Sequence, residues 1–213
     1  MLKAVIFDVD GVLIDSYEAN LRFYQDLMVS AGYSPPTRES YRHMYHMTMR
    51  DVIKHVTNSH DEKEIEKIWL LGKNRYVSYH HELITSPKKY KSVLYSLHKK
   101  YILAIVTSRI TGGVFSLPQL SELESLFKTI VYYEDTAKHK PEPDPLLLAC
   151  ERLALKPEEA VYIGDTNTDV QAAKAAEMNV IIYSKKAISG ADANTELFDQ
   201  IPKLIDTLNE GSK

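Results

Sequence analysis

Short apolar runs rich in β-branched residues stop at a polar or glycine-acid step four times along this chain, and helical spacing separates them. Lys3 to Phe7 ends at Asp8, Tyr101 to Val106 at Thr107, Ala160 to Ile163 at Gly164-Asp165, and Val180 to Tyr183 at Ser184. A run of this kind without polar alternation predicts a strand buried on both faces, as in a parallel sheet covered by helices. The expected fold class is therefore α/β: a Rossmann-like parallel sheet core flanked by helices.

Two later helices carry their own signals. Asp144-Pro145 predicts an N-cap with proline at the first helical position, and Ile201, Leu204, Ile205 and Leu208 form an apolar stripe. Residues 16 to 86 differ. Tyr17, Leu21, Tyr24 and Met28 recur at helical spacing up to Gly32, Thr48 with Asp51 predicts a capping box, and Ile65, Ile68, Trp69, Tyr76 and Tyr79 trace another stripe. With no convincing strand, this block of roughly 70 residues is too long for a crossover and long enough for a subdomain. The expected organisation is a Rossmann-like core of residues 1–15 and 87–213, with an all-helical domain of residues 16–86 inserted.

Charge and composition narrow the partners. Lys+Arg 26 against Asp+Glu 29 leaves a net charge of −3, so no global positive field draws the chain to nucleic acid or anionic lipid. Apolar runs such as Tyr101 to Val106 fall far short of the roughly 20 residues of a membrane-spanning helix. The single cysteine, Cys150, lies in an apolar helical stretch and is expected to be an inert core residue, and no leader-like segment opens the chain. A soluble cytoplasmic protein, monomeric or a small homo-oligomer, is expected, with no nucleic acid or membrane partner.

In open α/β sheets ligands bind beyond the carboxyl ends of the strands, where the polar residues of this chain accumulate. Asp8-Val9-Asp10-Gly11-Val12 places two carboxylates two residues apart, and Gly11 permits an unusual backbone turn. Gly164-Asp165-Thr166-Asn167-Thr168-Asp169 adds two more, four apart, on one face of a helix starting near Thr166. At about 4 Å and an effective dielectric near 20, each like-charge pair costs roughly 4 kcal/mol, so the group calls for a cation. Hard oxygen ligands favour Mg²⁺. Lys140, in the proline-rich segment Lys138 to Pro145, is the candidate side-chain cation. Four aspartates against this lysine leave about −3, a field that repels a phosphate dianion unless Mg²⁺ offsets it.

At these residues the chain resembles the haloacid dehalogenase superfamily, specifically its phosphatase branch with a helical cap inserted after the first motif. DVDGVLIDS at 8–16, VTS at 106–108, KPEPDP at 140–145 and GDTNTD at 164–169 match its four motifs in order, and the resemblance covers essentially the whole chain. It implies that Asp8 attacks phosphorus to form an aspartyl phosphate, while Asp10 protonates the leaving oxygen and then deprotonates the hydrolytic water. Thr107 and the Ser108 amide would bind a phosphoryl oxygen, and Lys140 would offset charge on nucleophile and phosphate. Mg²⁺ would be held by the carboxylates of Asp8 and Asp165 and the main-chain carbonyl of Asp10, with Asp169 behind them or bound through water.

The implied activity is a Mg²⁺-dependent phosphatase for a small phosphorylated metabolite, similar to phosphoglycolate phosphatases, with the cap deciding the substrate. There the chain departs from familiar members: Asn20 stands where several relatives have histidine, and His46 where glycine is usual. His43, His46 and Arg50 are the polar groups available to face the site, Arg50 being the expected contact for a substrate anion. Two other readings compete: a β-phosphoglucomutase-like mutase, which Asn20 and Met49 weaken, and a phosphorylatable receiver domain, which the helical insert and Asp10 disfavour.

Overall fold

The computed structural model describes residues 1–45 and 47–211. The chain divides into two compact units, one of Met1–Asp15 with Ser86–Lys213 and the other of Ser16–Thr85.

The first unit is built on six strands: β1 (Ala4–Phe7), β2 (Ile102–Val106), β3 (Phe127–Val131), β4 (Ala160–Gly164), β5 (Asn179–Tyr183) and β6 (Ala193–Thr195). They pair in parallel in the order β3-β2-β1-β4-β5-β6. The four strands expected from apolar runs form the middle of this sheet, and β3 and β6 are additions at its edges. An edge strand needs only one buried face; Lys128 of β3 is exposed, and β6 is a three-residue Ala-Asn-Thr segment without a large apolar side chain.

Register carries the consequence for chemistry. Phe7 lies opposite Ile105 of β2 and Ile163 of β4, so Asp8, Val106-Thr107 and Gly164-Asp165 leave the sheet side by side at its carboxyl end. This is also where the strand order reverses around β1, the switch point at which open α/β sheets bind ligands. Alternate residues face opposite layers. Ile6, Ala104, Tyr162 and Ile182 join a buried cluster with Leu146, Ala149, Cys150, Val170 and Ala173. Phe7 points the other way and stacks on Phe198, ring centroids 6.4 Å apart. Full burial of each large side chain stabilises by about 1.5–3 kcal/mol, which holds the strand ends in place.

The second unit is formed by helices α1 (Tyr17–Ser30), α2 (Arg38–Arg42), α3 (Met49–Thr57) and α4 (Glu62–Lys73), with no strand among its described residues. Leu21, Tyr24, Leu27 and Met28 of α1 pack with Tyr41, Val52, Ile53, Ile65 and Ile68 into a separate core. The Thr48 hydroxyl caps α3 by accepting the Asp51 amide at 3.2 Å. The stripe drawn through Tyr76 and Tyr79 does not continue α4. Arg75 turns the backbone left-handed at φ 57°, Tyr76 is exposed, and Tyr79 packs its ring against Phe23 at 5.8 Å.

Helices α5 (Tyr90–His98), α6 (Asp144–Leu153), α7 (Asn167–Ala175) and α8 (Ile201–Gly211) belong to the sheet unit. Asp144 is the first residue of α6 rather than its cap, Pro143 taking the flanking position. Ile201 and Ile205 of α8 are fully buried, as their stripe requires. Among the described residues no helix is long and apolar enough to cross a membrane.

Candidate active site

Asp8 follows directly on β1, where the sheet has desolvated its backbone, and the residue is only 8% exposed. One carboxylate oxygen accepts the Val9 amide at 2.7 Å and the other accepts Lys140 Nζ at 2.6 Å. Burial pushes its pKa up to about 6, against the pull of Lys140, so Asp8 is still largely ionised at neutral pH.

Lys140 spends all three ammonium protons. Besides Asp8, Nζ donates to the Tyr162 hydroxyl at 2.9 Å and to Asp169 Oδ1 at 2.7 Å. Burial opposes its charge, yet the field of Asp8, Tyr162 and Asp169 outweighs that and holds the ammonium well above the usual lysine range.

Asp169, on the first turn of α7, is fully buried and densely bonded. Its Oδ1 accepts from Lys140 and from the Tyr162 hydroxyl at 3.2 Å, and its Oδ2 accepts the Asp165 amide at 3.1 Å, the Thr166 amide at 2.9 Å and the Thr166 hydroxyl at 2.6 Å. Burial alone would raise its pKa, but Lys140 and Thr166 hold it below the ordinary value. Asp169 therefore braces the loop carrying Asp165 and anchors Lys140 from beneath.

Asp8, Asp165 and Asp169 offer oxygens within 4.8 Å of one another, a grouping able to hold a metal ion. Burial, together with the charges of Asp8 and Asp169, drives the Asp165 pKa up to about 8. Burial is the larger cause, and the neighbouring carboxylates add to it against the opposing charge of Lys140. Gly11, at φ +80°, makes the approach feasible, since a Cβ there would lie 2.0 Å from Asp165 Oδ2. The donor set and its charge excess fit a hard divalent cation.

The carboxylate of Asp10 lies outside this three-residue group. It is held by Arg109, whose Nε donates to Oδ2 at 2.7 Å and Nη2 to Oδ1 at 2.8 Å. Thr107, 5% exposed, accepts the Arg109 amide on its hydroxyl at 3.2 Å, and Ser108 beside it is exposed. Thr107, Ser108 and Lys140 line one small cleft together with Tyr133 and His139.

Several insert residues have partners within their own unit. Arg50 pairs with Glu66 and lies over the Trp69 ring at 4.7 Å from its centroid, beside a shallow depression lined by Glu62, Lys63 and Glu66. Arg50 and Glu66 are both partly exposed there. Asn20 bonds Ser16 and Tyr79, Lys54 pairs with Glu62, and His43 is exposed; His46 lies outside the described residues.

Arg109 and Tyr162 were not among the expected site residues. Arg109 announces itself only as a basic residue next to a strand-end Thr-Ser. Tyr162 shows as a hydroxyl in an otherwise apolar buried strand, a group that needs a partner.

Residues 5–183 match the family model described as haloacid dehalogenase-like hydrolase. A pyrophosphatase PpaX from Bacillus velezensis is 29% identical over 190 residues, covering 82% of this chain and 80% of its own length. The crystal structure of a HAD-superfamily hydrolase, subfamily IA, variant 1, from Geobacter sulfurreducens matches with a TM-score of 0.76 at 29% identity, over 97% of this chain and 96% of the other. CbbY from Rhodobacter sphaeroides in complex with phosphate shares the fold, with a TM-score of 0.79 at 23% identity, over 94% and 96%.

Proposed function

The chain belongs to the haloacid dehalogenase-like hydrolase family, and on that premise we propose that it is a Mg²⁺-dependent phosphatase of small phosphorylated metabolites working through an aspartyl phosphate. The observation that carries this reading is the 2.6 Å contact of Lys140 with a buried Asp8 that has Asp165 and Asp169 within 4.8 Å. A lone surface ion pair needs no such cluster, whereas a nucleophile facing a dianion needs positive charge close by.

In the first half-reaction an oxygen of Asp8 attacks phosphorus, the bond from phosphorus to the leaving oxygen breaks, and Asp10 gives that oxygen a proton. In the second, Asp10 takes a proton from water as the water oxygen attacks the aspartyl phosphate. The bond between phosphorus and Asp8 then breaks, which restores the carboxylate and releases inorganic phosphate. Thr107 and the Ser108 amide orient the phosphoryl oxygens, and Lys140 steadies charge on nucleophile and phosphate. Mg²⁺ would be held by the carboxylates of Asp8 and Asp165 and the carbonyl of Asp10, and when bound it supplies the positive charge that lets a dianion approach.

The substrate is a phosphoglycolate-like phosphomonoester or, given the name carried by the Bacillus velezensis relative, pyrophosphate. The helical unit would serve as a cap that excludes water and contributes specificity. We place the enzyme in the cytoplasm, as a monomer or small homo-oligomer. The test is phosphate release from a panel of phosphoglycolate, sugar phosphates, nucleotides and pyrophosphate, with Mg²⁺ and with chelator. Release from none of them, or release indifferent to chelator, would defeat the proposal.

A further inference from the structure

Lys140 comes from a stretch of chain with little of its own to hold it. Between the 3₁₀ turn Tyr133–Asp135 and helix α6 no helix or strand forms. Among the described residues, the one backbone hydrogen bond made by residues 136–142 is internal to the stretch, the Glu142 amide donating to the His139 carbonyl at 2.8 Å. A segment so thinly tied opens easily unless side chains fix it. Yet Lys140 has to bring Nζ to Asp8 at 2.6 Å, Asp169 at 2.7 Å and Tyr162 at 2.9 Å. The residue before it supplies a tie. The His139 ring stacks on that of Tyr133, with centroids 3.8 Å apart and planes 19° from parallel.

Tyr133 is itself well anchored. Its amide donates to the Arg109 carbonyl at 3.0 Å, and the Arg109 amide donates to Thr107 Oγ1 at 3.2 Å. Asp135, two residues on, accepts the Tyr132 amide at 2.8 Å and pairs with Arg152 at 3.1 Å, and Arg152 also donates to the Ile130 carbonyl of β3 at 2.6 Å. A continuous run of contacts thus leads from Thr107 through Arg109, Tyr133 and His139 to Lys140, and both ends of it line the same cleft. Tyr133 remains 38% exposed, so the pair adds little to the core. Among the described residues the imidazole of His139 has no hydrogen bond or ion pair, so its flat face is what the site uses. We infer that Tyr133 and His139 are positioning residues, whose stacked rings set Lys140 at its working distance from Thr107. Both act through Lys140 rather than on the reacting atoms. The inference rests on the phosphatase reading above, and it adds what fixes the spacing of the two side chains that meet the phosphoryl group.

The test compares wild type with Tyr133→Phe, Tyr133→Ala, His139→Phe and His139→Ala. Acylation of Lys140 by an N-hydroxysuccinimide acetate is followed by mass spectrometry without metal or substrate, with exposed Lys138 as the check on the reagent and buried Cys150 as the check on the fold. Both Ala variants should acylate Lys140 about tenfold faster than wild type, since the segment then opens more often, and both Phe variants within about threefold. Lys138 should be unchanged throughout, and Cys150 should stay closed to iodoacetamide. With Mg²⁺ and the better substrate of pyrophosphate and phosphoglycolate, kcat should fall about 10²-fold in the Ala variants and recover in the Phe variants, because a flat ring restores the alignment. In a Lys140→Ala background, His139→Ala should cost less than about twofold. Unaltered Lys140 acylation in both Ala variants, or a His139→Phe as impaired as His139→Ala, would overturn the positioning role. Phosphate release by wild type from no member of the substrate panel would instead overturn the phosphatase reading, while the acylation rates still report whether the stack holds Lys140.

Discussion

The hydroxyl of Tyr162 lies 2.9 Å from Lys140 Nζ and 3.2 Å from Asp169 Oδ1, closing a buried triangle beneath the candidate nucleophile. Its ring, 5.5 Å from the same ammonium, forms the floor of the site. Tyr162→Phe removes one oxygen and leaves the strand packing intact. With a hydrogen bond to a charged group worth about 1.5 kcal/mol, kcat should fall roughly tenfold with KM within threefold. In a Lys140→Ala background the same change should cost less than twofold, because Tyr162 acts through the lysine. An additive loss across that double-mutant cycle would make Tyr162 a packing residue only.

Asp8→Asn should abolish turnover by more than about 10³-fold, since an amide is a poor nucleophile. The fold should survive, because Lys140 keeps Asp169 at 2.7 Å as its counter-ion. Steady-state rates beside a thermal melt check both statements. Activity within tenfold of wild type would remove Asp8 from its role.

Without metal, Asp165 holds its proton up to about pH 8, whereas an unfolded chain releases it near the ordinary aspartate value of 3.8. The folded state thus binds the extra proton, so this stabilising contribution is complete at low pH and is lost as pH rises through that window. Melting temperature of the metal-free protein should therefore decline from pH 5 to 8, and Mg²⁺ should restore more at pH 8 than at pH 5. Asp165→Asn should melt a few degrees above metal-free wild type at pH 8, where about 1 kcal/mol moves Tm by roughly 2–4 °C, and should lose the Mg²⁺ increment. An undiminished increment in that variant would exclude Asp165 as a ligand.

Cys150 is 2% exposed among the residues under the sheet, and burial pushes its thiol up to about 11. At pH 8 only about one molecule in a thousand carries the reactive thiolate. Iodoacetamide should label native protein at least 10²-fold more slowly than urea-unfolded protein, read by mass spectrometry. Prompt stoichiometric labelling of the native state would show that the helix α6 face opens.

The central strands were legible in the residues because each is a continuous apolar run with an abrupt polar stop, and the cap of α3 because Thr48 and Asp51 sit three apart. Both are local signals. The gathering of Asp8, Asp165 and Asp169 required the register that sets Phe7 opposite Ile163. The edge strands carry no such signal, because half-exposed β3 and the three residues of β6 need little apolar content.

From the order of residues alone came the parallel α/β core, the helical insert and the strand-end acids, all read from period and punctuation along the chain. Tertiary structure decided the partners. Lys140 reaches Asp8 across 132 positions, Arg109 reaches Asp10 across 99, and Arg50 reaches Glu66 across 16. A charged side chain can pair with any of many opposite charges. Only the packing of strands and helices fixes which lies within 3 Å, because Coulomb attraction and hydrogen-bond geometry act on distance in space and carry no memory of spacing along the chain.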